Sequence, residues 1–333
     1  MKNLIITLFL LISPGLTHVI HSQVKIIFDT DFGGDADDLG ALAMLHHFTN
    51  NKECGLLAVM SWTTEMYTIA AIDAVNHFYG FPGIPIGIRS RHVDYREWNY
   101  NKVIADQFPH TENYTSVPLA KDLYRQILSG EEDNSVVVVT VGPLKNILDL
   151  LESEPDAFSD LTGNELFHKK VKEVVIMGGK FPEGKGEWNF DGAMPGITKK
   201  VLDKIKAPVV FSGFETGVRI KTGEIFNQID PATPLYIGFY HFSKYAPWMR
   251  EYYHGRILDN STYDQTAVLY AVRGGVGNYW DLIEGGHCYV EENGDNRWIP
   301  GEKTNQSYLK LIKDPDEMAD LIEAIMLGEI PEK

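Results

Sequence analysis

Short apolar runs recur along the chain and alternate with stretches in which apolar residues return every three or four positions. The runs Val24–Phe28, Leu56–Met60, Ile84–Ile88, Val136–Val141, Val174–Met177 and Pro208–Phe211 are four to six residues long and mostly aliphatic, the pattern of strands buried on both faces. Helical spacing marks Asp37–Phe48, Glu65–Tyr79, Pro118–Leu128, Pro143–Leu151, Pro195–Ile205, Asp264–Val272 and Pro315–Leu327. Four of these seven open on proline, which suits the first turn of a helix because its missing N–H has no intrahelical partner there. Strand and helix in alternation predict right-handed βαβ units, hence an α/β fold with a mostly parallel central sheet and helices on both faces. No repeat, low-complexity tract or linker interrupts the alternation, so residues 23–333 are expected to form one domain. The segment Arg89–Val117 is polar, aromatic and without a clear period, and reads as a long surface excursion near a site mouth.

The first residues follow a different rule. Met1–Lys2 is a basic start, Leu4–Ile12 an apolar core, and Ser13-Pro14-Gly15 a break. That is the layout of an export signal, too short to span a bilayer, with cleavage expected after Ser22. Export to a periplasm or medium, from a bacterial cell, is the expectation. Loss of residues 1–22 removes one lysine and no acid, moving the formal charge from −16 to −17. So acidic a body repels phosphate backbones, which argues against a nucleic-acid partner. The only cysteines, Cys54 and Cys288, permit one disulfide in an oxidising compartment or two buried thiols, and their spacing decides nothing.

The densest chemistry lies at the end of the first apolar run. Asp29, Asp31, Asp35, Asp37 and Asp38 fall within ten residues, immediately before a helical pattern. Carboxylates so crowded repel one another and would partly protonate unless a cation sat among them. A hard divalent ion, which prefers oxygen ligands, removes the conflict. Capping accounts for one or two acids at a helix start rather than five. An EF-hand is excluded, because Gly40 occupies the twelfth position, where that loop needs a bidentate Glu. Gly33 and Gly34 allow the tight backbone that convergence requires.

Three more motifs fall at strand ends or helix starts, where open parallel sheets bind ligands. They are Thr140-Val141-Gly142-Pro143, the Met177-Gly178-Gly179 turn leading to Glu187-Trp188-Asn189-Phe190, and Ser261-Thr262-Tyr263-Asp264. In this order, over nearly the whole of residues 23–333, the set resembles the inosine/uridine-preferring nucleoside hydrolases, in a variant with a longer aspartate motif. The resemblance implies hydrolysis of the N-ribosidic bond of a nucleoside or related ribosyl compound, with one bound Ca2+ holding the ribose diol and a water. It implies Asp31, Asp38, Asp264 and the Val141 carbonyl as calcium ligands, Asp31 also as the base, and Asp37 on a ribose hydroxyl. Glu187 and Asn189 fall where the family grips the 5′ end of the ribose, and a homodimer or homotetramer is implied. The chemistry is coherent by itself: N-ribosidic cleavage builds oxocarbenium-like charge that carboxylates stabilise, and a cation lowers the pKa of a water.

The chain departs from the family where the leaving group would sit. Tyr263 stands where many members have His, and Met60-Ser61-Trp62-Thr63 replaces a usual ribose-binding Asn. Trp62 is then a candidate to close over the sugar or stack on a base, and the Lys180–Gly186 loop lacks a further expected Asn. His241 and His254 are nearby in sequence as alternative acids. Two rivals follow. A non-catalytic calcium-dependent nucleoside or sugar binder would keep the ligands without the acid, and a haloacid dehalogenase-type phosphatase would use the Phe28-Asp29-Thr30-Asp31 strand end. Sequons at Asn113, Asn260 and Asn305 matter only in a eukaryotic secretory route, and a glycan on Asn260 would crowd Asp264.

Overall fold

The computed structural model describes residues 23–191 and 194–332; the expected signal at 1–22 lies outside them. Eight strands form the main sheet: β1 (Val24–Thr30), β2 (Cys54–Ser61), β3 (Ile86–Ile88), β4 (Val136–Thr140), β5 (Val171–Met177), β6 (Val209–Ser212), β7 (Trp280–Ile283) and β8 (Gln306–Leu311). Their spatial order is β7-β8-β6-β5-β4-β1-β2-β3, parallel throughout except for the edge strand β7. Alternate residues feed two cores. Ile26, Phe28, Val137, Val139 and Val175 face one layer of helices, and Ile27, Val138, Val174 and Ile176 face the other. Such double burial is why the strands read as unbroken apolar runs.

The sheet's chain order reverses at β1. From β1 the chain steps outward through β2 and β3, then returns to pair β4 on the opposite side of β1. Strands that diverge in this way leave a crevice beyond their carboxyl ends, the usual ligand site of an open α/β sheet. The aspartate motif begins there.

All six expected strands and seven expected helices are present, with ends shifted by a few residues. β7 and β8 were not anticipated, nor was the three-stranded sheet of Glu183–Gly184, Asn296–Pro300 and Gly286–Val290. β7 is an edge strand, β8 lies next to it and the small sheet lies outside the main one; all are half exposed and so lack the continuous apolar run of a central strand. The helix Pro234–Tyr245 was also unread, its wide aromatic face obscuring the period. The Arg89–Val117 excursion needs correction. It contains the helix Asn101–Gln107, and Tyr100 and Asn101 are wholly buried against the aspartate loop. Cys54 and Cys288 are free buried thiols in opposite core layers. Among the described residues no helix is long and apolar enough to cross a membrane.

Candidate active site

β1 delivers its acids to two different environments. Asp29, the last residue but one of the strand, turns inward: its Oδ2 accepts from Tyr124 Oη at 2.9 Å and its Oδ1 from Asn146 Nδ2 at 2.9 Å. Burial pushes its carboxyl up to about 7, against the pull of those two donors. Asp29 is 1% exposed and engaged on both oxygens, which removes the nucleophile the phosphatase reading requires. Asp31, two residues on, faces the crevice.

The loop after β1 is held from three sides. Gly33 has φ +119°, and a Cβ there would meet Asn101 Nδ2 at 2.1 Å, so only glycine fits. Asn101 itself donates to Thr68 Oγ1 at 2.7 Å and to Glu65 Oε2 at 3.1 Å. Tyr100 accepts from the Gly33 N–H at 3.1 Å and donates to the Asp35 carbonyl at 2.9 Å. On the β4 side, a Cβ on Gly142 would lie 2.9 Å from Asp31 N, so this turn too must be glycine for the two strand ends to approach. The Asp35 carboxylate accepts from Asn260 Nδ2, which fastens the loop to the strand before Asp264. Asn260 is thereby turned inward and closed to a glycan.

The carboxylates of Asp37, Asp38 and Asp264 converge, with one ligand oxygen from each within 4.8 Å of the others. Asp37 and Asp38 open the helix Asp37–Asn50 and Asp264 opens the helix Asp264–Arg273, so two helix N-termini point at the cluster. Thr30 Oγ1 donates to Asp38 Oδ1, and the Asp264 N–H reaches Asp37 Oδ2 at 3.4 Å. Burial first, and then mutual repulsion, holds all three acids well above the usual carboxylate range. Two helix dipoles therefore do not neutralise the cluster. Oxygen-only donors, three buried carboxylates and, among the described residues, no His or Cys lining the cavity suit a hard cation such as Ca2+.

The expected roles distribute unevenly over this geometry. Asp38 and Asp264 stand together as anticipated, and Asp37, expected at the ribose, stands with them. Asp31 lines the same cavity outside that group of three, its Oδ2 accepting from Trp188 Nε1 at 2.9 Å. Burial raises its carboxyl to about 6. The Val141 carbonyl accepts from Asn189 Nδ2 at 2.8 Å, so these two residues meet. Glu187 spends its carboxylate on backbone N–H groups, those of Gly179 at 2.7 Å, Asn189 at 3.1 Å and Phe190 at 3.1 Å, and so shapes the Gly179–Phe190 loop. Burial nonetheless keeps its pKa near 7.

At the mouth the cavity is aromatic. It measures 440 Å3, the size of a small-molecule site, and Trp62, Trp98, Trp188, Trp248, Phe214 and Tyr263 contribute to its wall. Tyr263 stacks on Phe214 with centroids 5.2 Å apart, and burial pushes its phenol up to about 12. His241 lies outside the lining, packed on Tyr245 at 4.6 Å, and His254 accepts from Arg256 at the surface. Asn99, Phe214 and Trp248 carried no sequence signal as site residues, and Trp188 stood out only as part of the Glu187–Phe190 motif, because single aromatics and amides in loops have no periodicity to betray them.

Known proteins agree with this architecture. A family model described as inosine-uridine preferring nucleoside hydrolase matches residues 26–308. Among solved structures, a plant nucleoside hydrolase superposes with TM-score 0.64 at 16% identity, covering 91% of this chain and 98% of its own. A purine-preferring ribonucleoside hydrolase from Gardnerella vaginalis gives TM-score 0.65 at 14% identity, covering 92% and 99%. An inosine-uridine preferring nucleoside hydrolase from Bacillus anthracis gives TM-score 0.65 at 15% identity, covering 92% and 99%. No curated protein matches the chain in sequence. At such identities the superpositions speak for the fold, and the match over residues 26–308 for the family.

Proposed function

The chain belongs to the inosine-uridine preferring nucleoside hydrolase family, N-glycosidases that hydrolyse ribosidic bonds, and we propose that it does so as an exported, Ca2+-dependent enzyme. The observation that carries the calcium reading is the convergence of Asp37, Asp38 and Asp264 at one point of the cavity that Asp31 also lines. Those three carboxylates would hold the ion, with the neighbouring Val141 carbonyl within the same wall. Bound there, Ca2+ supplies a fixed positive charge that orients a sugar diol and acidifies a water.

The remaining work falls to side chains. Water adds to the anomeric carbon as the bond from that carbon to the base nitrogen breaks, and Asp31 takes the proton the water loses. Burial raises the Asp31 carboxyl and so strengthens it as a base, while a cation beside it would favour the ionised form from which it takes the proton. Positive charge growing on the ribosyl ring is stabilised by the surrounding carboxylates. The departing base needs a proton of its own. Tyr263 lines the cavity and is held protonated, so we assign the phenol as the donor where a riboside's leaving group is poor. The basic start and apolar stretch of residues 1–22 support export.

The test is reducing-sugar release from purine, pyrimidine and nitrophenyl ribosides, with Ca2+, with chelator, and with Asp31→Ala. Release that needs Ca2+ and vanishes in the variant is the expected outcome. Release unaffected by chelator overturns the calcium reading, and no release from any riboside overturns the ribosyl substrate.

A further inference from the structure

Three polar atoms of cavity-lining residues are left without partners: Asn189 Oδ1, Trp62 Nε1 and Asn99 Oδ1, of which the last two belong to residues that approach from the β2 side and the Arg89–Val117 segment. Trp62 is 6% exposed and its Nε1–H donates to nothing; Asn99 is 3% exposed and its Oδ1 accepts from nothing among the described residues. Both residues line the cavity that holds the carboxylate cluster. A buried donor or acceptor left unmade costs free energy comparable to a hydrogen bond, so such pairs at a binding site mark where an occupant completes them.

The Trp62 ring is held in place, and the backbone at Asn99 is anchored beside the aspartate loop. The Trp62 N–H donates to the Thr30 carbonyl at 2.8 Å, placing the side chain beside the carboxyl end of β1. Its carbonyl accepts from Arg89 Nε at 2.7 Å, and the Arg89 guanidinium lies 4.6 Å from the indole centroid, which fixes the ring. The Asn99 backbone donates to the Arg96 carbonyl at 3.0 Å and is followed by Tyr100, which is bonded to both Gly33 and Asp35 in the aspartate loop. One atom is a donor and the other an acceptor, and a hydroxyl group can both accept and donate.

We propose that Trp62 and Asn99 form a donor–acceptor pair that reads a hydroxyl-bearing face of the ribosyl group, the indole N–H giving to a sugar oxygen and Asn99 Oδ1 taking a sugar hydroxyl proton. This rests on the ribosyl-hydrolase reading above. It replaces the missing strand-end asparagine by an asparagine from a distant segment. It also makes the Arg89–Val117 excursion a wall of the substrate site rather than a surface loop.

The experiment measures kcat/KM for a nitrophenyl riboside and its 2-, 3- and 5-deoxy analogues, alongside calorimetric binding of the corresponding non-hydrolysed nucleosides. Wild type is compared with Trp62→Phe, which keeps the ring over Arg89, with Asn99→Ala, and with Asn99→Asp, which keeps an acceptor. Each of the first two variants is expected to lose about tenfold in kcat/KM and in affinity for the ribosyl compounds, one neutral hydrogen bond's worth. For Asn99→Ala the loss should disappear on the one deoxy analogue lacking its hydroxyl, and Asn99→Asp should recover part of it. Equal losses on every analogue, or none, with folding intact by thermal melt, overturn the pair while leaving hydrolysis standing. Wild-type protein that neither cleaves nor binds any riboside overturns both readings.

Discussion

The indole N–H of Trp188 donates to Asp31 Oδ2 at 2.9 Å, although Trp188 itself is half exposed at the cavity rim. The bond holds one oxygen of the proposed base in place and leaves Oδ1 to meet the water. Trp188→Phe keeps the ring and removes the donor. Its kcat should fall roughly tenfold, the value of one lost hydrogen bond, with KM little changed. Asp31→Ala should cost on the order of 100-fold to 10,000-fold, as removal of a general base does. Steady-state kinetics on a nitrophenyl riboside separates the two, and equal losses in both variants would sink the positioning role.

Removing one acid from the triad should have opposite effects with and without calcium. Asp264→Asn relieves repulsion among buried carboxylates, so in chelator its Tm should lie above that of wild type. Wild type should gain stability on adding Ca2+, about 4 kcal/mol at a thousandfold excess over Kd, and the variant should gain far less. Differential scanning fluorimetry with a calcium series reads both. A variant that melts lower in chelator and still responds fully to Ca2+ contradicts the assignment.

Tyr263→Phe isolates the leaving group. The substitution retains the stack on Phe214 and loses only the phenolic proton. Hydrolysis of purine and pyrimidine ribosides should drop about 100-fold, the lower range for general-acid catalysis, while nitrophenyl riboside, whose leaving group needs no acid, stays within about twofold. A uniform drop across both classes points to packing instead.

Stability away from the site hinges on Arg125. Its guanidinium is buried, paired with both oxygens of Asp156 at 2.7 and 3.0 Å, and it also donates to the Ser159 and Leu161 carbonyls. It thus ties the helix Ala120–Gly130 to the loop before the helix Gly163–Lys170. Arg125→Ala should cost about 3–5 kcal/mol in urea unfolding, because acceptors and a carboxylate lose their partner together. A loss below about 1 kcal/mol would show that water replaces the guanidinium without penalty.

Two groups, the buried His46 and the partly buried Glu215, set opposite pH limits on stability. His46, stacked between Tyr79 and Phe81, is held down to about 3 by burial, against an ordinary value of 6.5. Its folded pKa is depressed, so the stability it contributes is complete above 6.5 and lost as pH falls from 6.5 towards 3, by up to about 1.4 kcal/mol per unit. Glu215 runs the other way, raised by burial to about 7 from 4.5; its contribution is complete below 4.5 and is lost as pH rises through 7. Urea midpoints from about pH 4 to 9 should show His46→Gln flattening the acid limb and Glu215→Gln raising stability above about pH 7. Unchanged limbs in both variants would falsify these assignments.

How much of this was visible in the chain alone depends on whether the signal was local. The central strands were legible because burial on both faces demands apolar residues without interruption, and most helices because a half-buried cylinder imposes its period. The aspartate motif was legible as a cation site because five like charges in ten residues repel one another until a counter-charge sits among them. Asp264, some two hundred residues away, could be matched to that site by its motif, but only the fold brings its carboxylate to Asp37 and Asp38. By charge alone Asp29 and Asp31 are equals, two residues apart at the end of one strand, and only the resemblance picked out Asp31. Tertiary structure separated them, burying Asp29 against Tyr124 and Asn146 and turning Asp31 to the cavity. The cavity wall was legible least of all. Trp188 reaches Asp31, and Tyr100 behind the wall reaches Gly33 and Asp35, across the fold, and a contact between distant segments leaves no period, spacing or charge run in either of them. Composition and periodicity therefore determined the central strands, most of the helices and the acidic cluster, since these follow from how local segments meet water. Which carboxylates converge and which amides line the cavity were decided only when the loops beyond the strands packed together.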